Sequence, residues 1–187
     1  DPEIAKQVCE LPYDVMNSQE AKELAKDNPY SFLHVSKPEI DLDPEIDIYS
    51  VSVYAKGAEN LRFLQEQGVL TQDTTPCFYL YQQIASDHKQ IGVVAAASCE
   101  EYDSGIIKKH EHTRPSKEDD RVRHIEALNS QTGPVFLTYR SMEGIDAFIR
   151  TSCEKEPAID FVSADGVRHT SWVLDSKEDV SFIKKQF

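Results

Sequence analysis

Residues 106–128, IIKKHEHTRPSKEDDRVRHIEAL, carry the side chains best suited to moving a proton and holding an anion. His110 and Glu111 are an adjacent acid/base pair, and His112 follows two positions after His110. In an extended segment, alternation puts the two imidazoles on one side. A metal needs at least one more ligand, and nothing nearby fixes its spacing, so no metal site is read here. General acid/base work by His110 and Glu111, with Arg121 holding negative charge, is the chemistry that these residue types support. The segment also stands apart electrostatically. It holds six Lys/Arg against five Asp/Glu, plus three of the six histidines, in a chain of net charge −13.

The elements around these residues must position them. Pro115 breaks any helix running through 108–113. Ser116 is the expected start of the next helix, with Asp119 at the capping-box position. Val122, Ile125 and Asn129 mark its apolar face, with Leu128 at the edge. On a helical wheel Arg121 falls beside Leu128, at the rim of the buried face. A guanidinium there needs a carboxylate or a phosphate. Glu118, one turn earlier, is one candidate partner, and an anionic ligand is the other.

Upstream, residues 10–16 read as a loop in which Asp14 can close an Asx turn. Asn17 or Ser18 caps a helix, with Glu20 completing a capping box. Residues 32–35 read as a short strand with His34 hydrogen-bonded at its end or turned to a ligand. Residues 37–48 alternate acidic and aliphatic residues with two prolines, as in an exposed loop. Residues 49–67 give the longest helical pattern. Gly57 sits inside it for close packing, and Gly68 ends it.

Downstream, residues 77–84 and 90–98 read as a hairpin, and Ala95, Ala96 and Ala97 leave room for close packing of a helix or for approach of a ligand. Residues 134–139 read as a buried strand and 143–149 as a helix. A second hairpin turns at Asp165-Gly166. Ser176 caps a last helix over 177–185. The sum is an α+β fold, with a mixed sheet of about six strands and about four flanking helices.

Charge narrows the function classes. An acidic chain lacks the basic footprint of a nucleic-acid binder and is repelled by anionic lipid. No apolar run approaches the length of a membrane span. The four cysteines show no CxxC pattern, which fits reduced thiols and a cytoplasmic setting. One domain is the expectation over residues 1–187. The chain opens at Asp1 without Met and stops at Phe187 inside a helical pattern, so it reads as the N-terminal portion of a longer protein.

Four blocks carry a family resemblance: Leu11-Pro12-Tyr13-Asp14-Val15, Asn28-Pro29-Tyr30-Ser31-Phe32-Leu33-His34-Val35, His110-Glu111-His112-Thr113 with Asp120-Arg121, and Pro134-Val135-Phe136. In this order they resemble domain-of-unknown-function family 1015, a prokaryotic family, over essentially the whole chain. The resemblance implies a longer protein carrying a downstream Ala-Asp-Gly-His-His-Arg block. This chain's own Ala164-Asp165-Gly166 continues as Val167-Arg168, so that block is absent here. The downstream block is similar to phosphate-gripping turns of the ParB and sulfiredoxin group, which includes free-serine kinases.

By that analogy the protein takes a nucleotide, with magnesium, or a phosphorylated small molecule. His110 and Glu111 would be catalytic, and Tyr13, Asp14, His34, Thr113 and Arg121 would bind the ligand. A non-enzymatic ParB-like regulatory or protein-interaction module is the alternative. No Gly-rich phosphate loop occurs in this chain.

Overall fold

The computed structural model describes residues 4–109 and 113–187. Helices α1 (Ala5–Val8), α2 (Ser18–Ala25), α3 (Leu33–Ser36) and α4 (Val51–Glu66) come first. Strands β1 (Phe78–Ala85) and β2 (His88–Val94), then α5 (Cys99–Asp103), α6 (Pro115–Leu128) and α7 (Glu143–Ser152), follow. Strands β3 (Ile159–Val162) and β4 (Arg168–Leu174) and helix α8 (Lys177–Gln186) complete the order. The α+β class stands, but not the six strands or the mixed sheet. The described residues form one four-stranded sheet, ordered β2-β1-β4-β3 and antiparallel throughout. Among the described residues, eight α-helices replace the expected four or so.

The chain divides into two compact units. The first holds Gln7–Thr71 and Lys109–Phe136, and the second Gln72–Lys108 and Leu137–Phe187.

The first unit is helical. Asn17 closes the capping box of α2: its side chain accepts from the Glu20 N–H at 2.9 Å, and its own N–H donates to Glu20 at 2.8 Å. Ala21 and Ala25 on α2 pack with Leu33 and Ile40 in a small core. The residues expected to form a strand at 32–35 are instead one helical turn. Among the described residues no strand lies beside them to complete a ladder, and Ser31 accepts the Leu33 N–H at 3.3 Å, which opens a turn. Residues 37–48 are not simply an exposed loop either. A 3-10 turn, Pro38–Asp41, buries Pro38 and Ile40.

Gly57 is a point of close approach on α4. A Cβ there would meet Pro38 Cγ at 3.2 Å, and Leu128 Cδ1 and the Val35 carbonyl at 3.3 Å. Gly68, at φ +68°, ends the region as a left-handed C′ residue.

Helix α6 begins at Pro115 with Arg114 as its N-cap, not at Ser116, and no side chain caps it. Proline's fixed φ and missing N–H suit the first helical position. Its buried residues are His124 and Leu128, while Val122 and Asn129 are exposed. The buried stripe therefore runs through Asp120, Arg121, His124 and Leu128, rotated from the face expected of hydrophobicity alone. Gly57 lets Leu128 in on that side.

The second unit is the sheet with α5, α7 and α8. Leu80, Trp172 and Leu174 on one sheet face pack with Ile145, Ile149 and Ile183 from α7 and α8. Both expected hairpins form, and Ser176 caps α8 through the Asp179 N–H at 3.0 Å. Ala95, Ala96 and Ala97 are exposed rather than closely packed. Residues 134–139 form no strand, and Val135 and Phe136 are 75% and 71% exposed. Apolar composition imitates a buried strand there, but among the described residues no neighbouring strand supplies the ladder.

Among the described residues no helix is long and apolar enough to cross a membrane.

Candidate functional site

The first unit brings two of the expected ligand-binding residues together. Tyr13 lies on a 3-10 turn, Tyr13–Val15, and its ring sits under the Arg121 guanidinium, 4.7 Å from centroid to Cζ. Asp14 lies on the same turn and is exposed.

Arg121 takes its carboxylate from Asp120, its own neighbour, and not from Glu118. Nη2 donates to Asp120 Oδ2 at 2.7 Å and Nε to the same oxygen at 3.2 Å. The other oxygen, Oδ1, accepts from the Tyr54 hydroxyl at 2.9 Å. Glu118 instead accepts from the Thr113 hydroxyl at the start of α6. Burial pulls the Arg121 guanidinium toward its neutral form, but the Asp120 hydrogen bond and charge, and Tyr13, outweigh it and raise its pKa. Burial and the Asp120 carboxylate push the Tyr54 phenol up to about 12.

One turn on, His124 is buried and its Nε2 donates to the Val35 carbonyl at 2.8 Å. Burial holds its pKa below the usual histidine range, and the nearby Arg121 charge adds to this. The neutral ring therefore keeps its lone pair on Nδ1.

His34 works elsewhere. Its Nδ1 lies 2.9 Å from Asp41 Oδ1, and its Nε2 lies 3.2 Å from the Asn28 carbonyl. Both partners accept, so the two contacts favour the doubly protonated ring. The Asp41 hydrogen bond is the main reason that its pKa rises, with burial opposing. Burial works against ionisation of Asp41, but His34, then Asn60 and Lys56, outweigh it and lower its pKa. Asn60 Nδ2 bridges the Asp41 carboxylate, at 2.8 Å, and the His34 carbonyl, at 2.7 Å.

Two shallow depressions meet at this ion pair, one bordered by Lys22 and Lys26, the other by Lys56 and Asn60. Tyr13 and Arg121 border neither, so His34 and Arg121 serve different parts of the unit.

Glu10 was missed as a site residue. Its carboxylate accepts from the Ser36 hydroxyl at 2.7 Å. Burial raises its pKa to about 7, with Ser36 and Lys37 opposing. A carboxyl that titrates near neutrality can accept a proton at physiological pH and give it back. The only hint in the sequence is its place between Cys9 and Leu11, apolar neighbours that favour burial. The expected catalytic pair, His110 and Glu111, lies outside the described residues. Among the described residues no group of three His, Cys, Asp or Glu side chains is arranged to hold a metal ion.

A family model described as "Protein of unknown function (DUF1015)" matches residues 1–187. The chain belongs to this family. The DUF1015 match runs through both compact units, so the Tyr13 turn and helix α6 lie within one family-defined stretch. Searches of curated proteins and of solved structures found no match.

Proposed function

We propose that this DUF1015 chain binds the phosphate of a nucleotide or phosphorylated small molecule at Arg121, as part of a small-molecule kinase-like enzyme. One observation carries the reading: the half-buried guanidinium of Arg121 is fixed before any ligand arrives. Asp120 holds it from one edge and the Tyr13 ring supports it from below. Fixing a cation in advance removes the reorganisation that would otherwise oppose anion binding. Nε and Nη2 are engaged by Asp120, which leaves the Nη1 edge of the guanidinium to donate to a phosphate oxygen.

Proton acceptance falls to Glu10, or to the His110-Glu111 pair of the sequence reading. In phosphoryl transfer such a group takes the proton of the attacking hydroxyl. Magnesium would arrive with the nucleotide, bound mainly by its phosphates. Thr113 and Asp14 flank the same two segments, while His34 is engaged by Asp41 and the Asn28 carbonyl. Calorimetry with ATP, ADP and CTP, each with and without magnesium, tests the reading. Saturable binding of one of them that Arg121→Ala weakens supports it, and no heat from any of them overturns it.

A second reading, a regulatory or protein-interaction module of ParB-like character, rests on the exposed side chains of Val135 and Phe136. Apolar groups left in water at adjacent positions favour a protein partner. A stoichiometric partner retained by Arg121→Ala but lost on Phe136→Ser would favour this reading over the first.

A further inference from the structure

We propose that the free edge of strand β2 pairs with the same edge of a second copy of this chain, so that two sheets join into one across a two-fold axis. The strand order β2-β1-β4-β3 leaves two edges, β2 and β3. They differ in how they are guarded. β3 is four residues long and carries Asp160, whose carboxylate is held by Arg168. Short length and a charge are what keep an edge from taking a further strand. β2 has seven residues, each matched in unbroken register on β1, so no bulge twists it away. It contains no proline, and its only formally charged residue is Lys89, second from its start.

Apart from the β1 ladder, the N–H and C=O groups of residues 88–97 bond to no other backbone group among the described residues. An exposed row of such groups is a template for another strand. The side chains along it are permissive too. From Gln90 to Cys99 ten consecutive residues carry no charge, in a chain of net charge −13. Gly92, Ala95, Ala96 and Ala97 are small and exposed, so little stands beside an approaching backbone.

Charge at the two ends of this run selects the occupant. Lys89 stands just before it, and Glu100 and Glu101 just after it. Lys89 and Glu100 are exposed, and neither end is neutralised by an ion pair among the described residues. Asp87 lies outside the strand, in the β1–β2 turn. When two such edges pair antiparallel about a two-fold, the basic end of each meets the acidic end of the other. Parallel pairing would set Lys89 on Lys89 and acid on acid. Identical copies of an acidic chain repel in general, so they join where the surface is locally neutral and its ends are complementary. Strand pairing of this length buries a small area, which gives a dimer at the weak end of protein interfaces.

Sedimentation velocity of the protein over about a hundredfold range of concentration tests this. The mass should rise from 21.2 kDa toward twice that value. Amide exchange, read by mass spectrometry, should slow over residues 90–97 across the same range. Lys89→Glu and, separately, Glu100→Lys combined with Glu101→Lys should each weaken association roughly tenfold or more. An equimolar mixture of the two variants should recover it, because each then meets the opposite charge at both contacts. A protein that stays monomeric throughout would overturn the proposal without reliance on any variant. So would a dimer that leaves exchange at 90–97 unchanged, or a mixture that associates no more tightly than its components, since another surface would then join the copies.

Discussion

The Tyr13 ring carries the Arg121 guanidinium on its face, with the Arg121 Cζ 4.7 Å from the ring centroid. One comes from the N-terminal turn and the other from α6, so the contact ties two distant stretches of one unit together. A cation over an aromatic face that is partly shielded from water contributes about 1 kcal/mol. Tyr13→Ala should therefore lower stability to urea by about that amount, and Tyr13→Phe by much less, because the ring face survives. If the two variants lose equally, the phenol hydroxyl and not the ring is what matters.

The His34–Asp41 pair sets a pH dependence. His34 is raised above its ordinary 6.5, so its contribution is fully present below pH 6.5 and is lost as pH rises through the folded value. Asp41 is lowered below its ordinary 3.8, so its contribution is present above pH 3.8 and is lost as pH falls through its folded value. The pair is thus at full strength between about pH 4 and 6.5. With both groups partly exposed, His34→Asn should cost about 1 kcal/mol at pH 5.5 and less at pH 9. Thermal unfolding of both proteins at the two pH values measures it, and a cost that is constant with pH would contradict the pairing.

Glu10 gives the opposite trend. Its carboxyl titrates at about 7 in the folded protein against an ordinary 4.5. Folding therefore loses stability as pH rises from 4.5 to 7, where the native state holds the proton that the unfolded chain has released. Glu10→Gln, which cannot ionise, should melt higher than the unaltered protein at pH 8 and at a similar temperature at pH 4.5. A variant that melts lower at pH 8 would show that Ser36 and Lys37 need the charged form.

Gly57 tests the packing of α4 against α6. Alanine would gain about 1 kcal/mol of helix propensity. Its Cβ would also press on Pro38, Leu128 and the Val35 carbonyl at 3.2–3.3 Å. Leu128 can rotate away, but the Val35 carbonyl is held by His124. Overpacking should win, with Gly57→Ala destabilised by about 1 kcal/mol net in urea unfolding. A more stable variant would mean that the neighbours yield freely.

Local signals in the sequence survive best. The Asn17 capping box, the Gly68 terminus, the Ser176 cap and both hairpins depend on neighbours close in the chain, and all are present. Strand character at 32–35 and 134–139 was read from composition, and composition does not say whether a partner strand is near. The face of α6 was misjudged for a related reason. His124 and Asp120 look polar in sequence, yet the Val35 carbonyl and the Tyr54 hydroxyl satisfy them inside the unit.

At the candidate site, Arg121 at the rim of a buried face was legible from the helical wheel. Its partner was not, because an adjacent carboxylate reaches it only through side-chain conformation. Glu10 was hidden for the same kind of reason: its burial and its bond to Ser36 come from a segment far along the chain.

The central claim is that the fixed guanidinium of Arg121 receives phosphate. An NMR titration of the arginine Nε–H signals with ATP and magnesium reads that contact directly, with Arg121→Lys identifying the resonance. The account predicts a saturable shift of the Arg121 signal and no comparable shift of Arg168, which is paired with Asp160 in the other unit. An Arg121 signal that stays in place through the titration, or moves no more than that of Arg168, would contradict it.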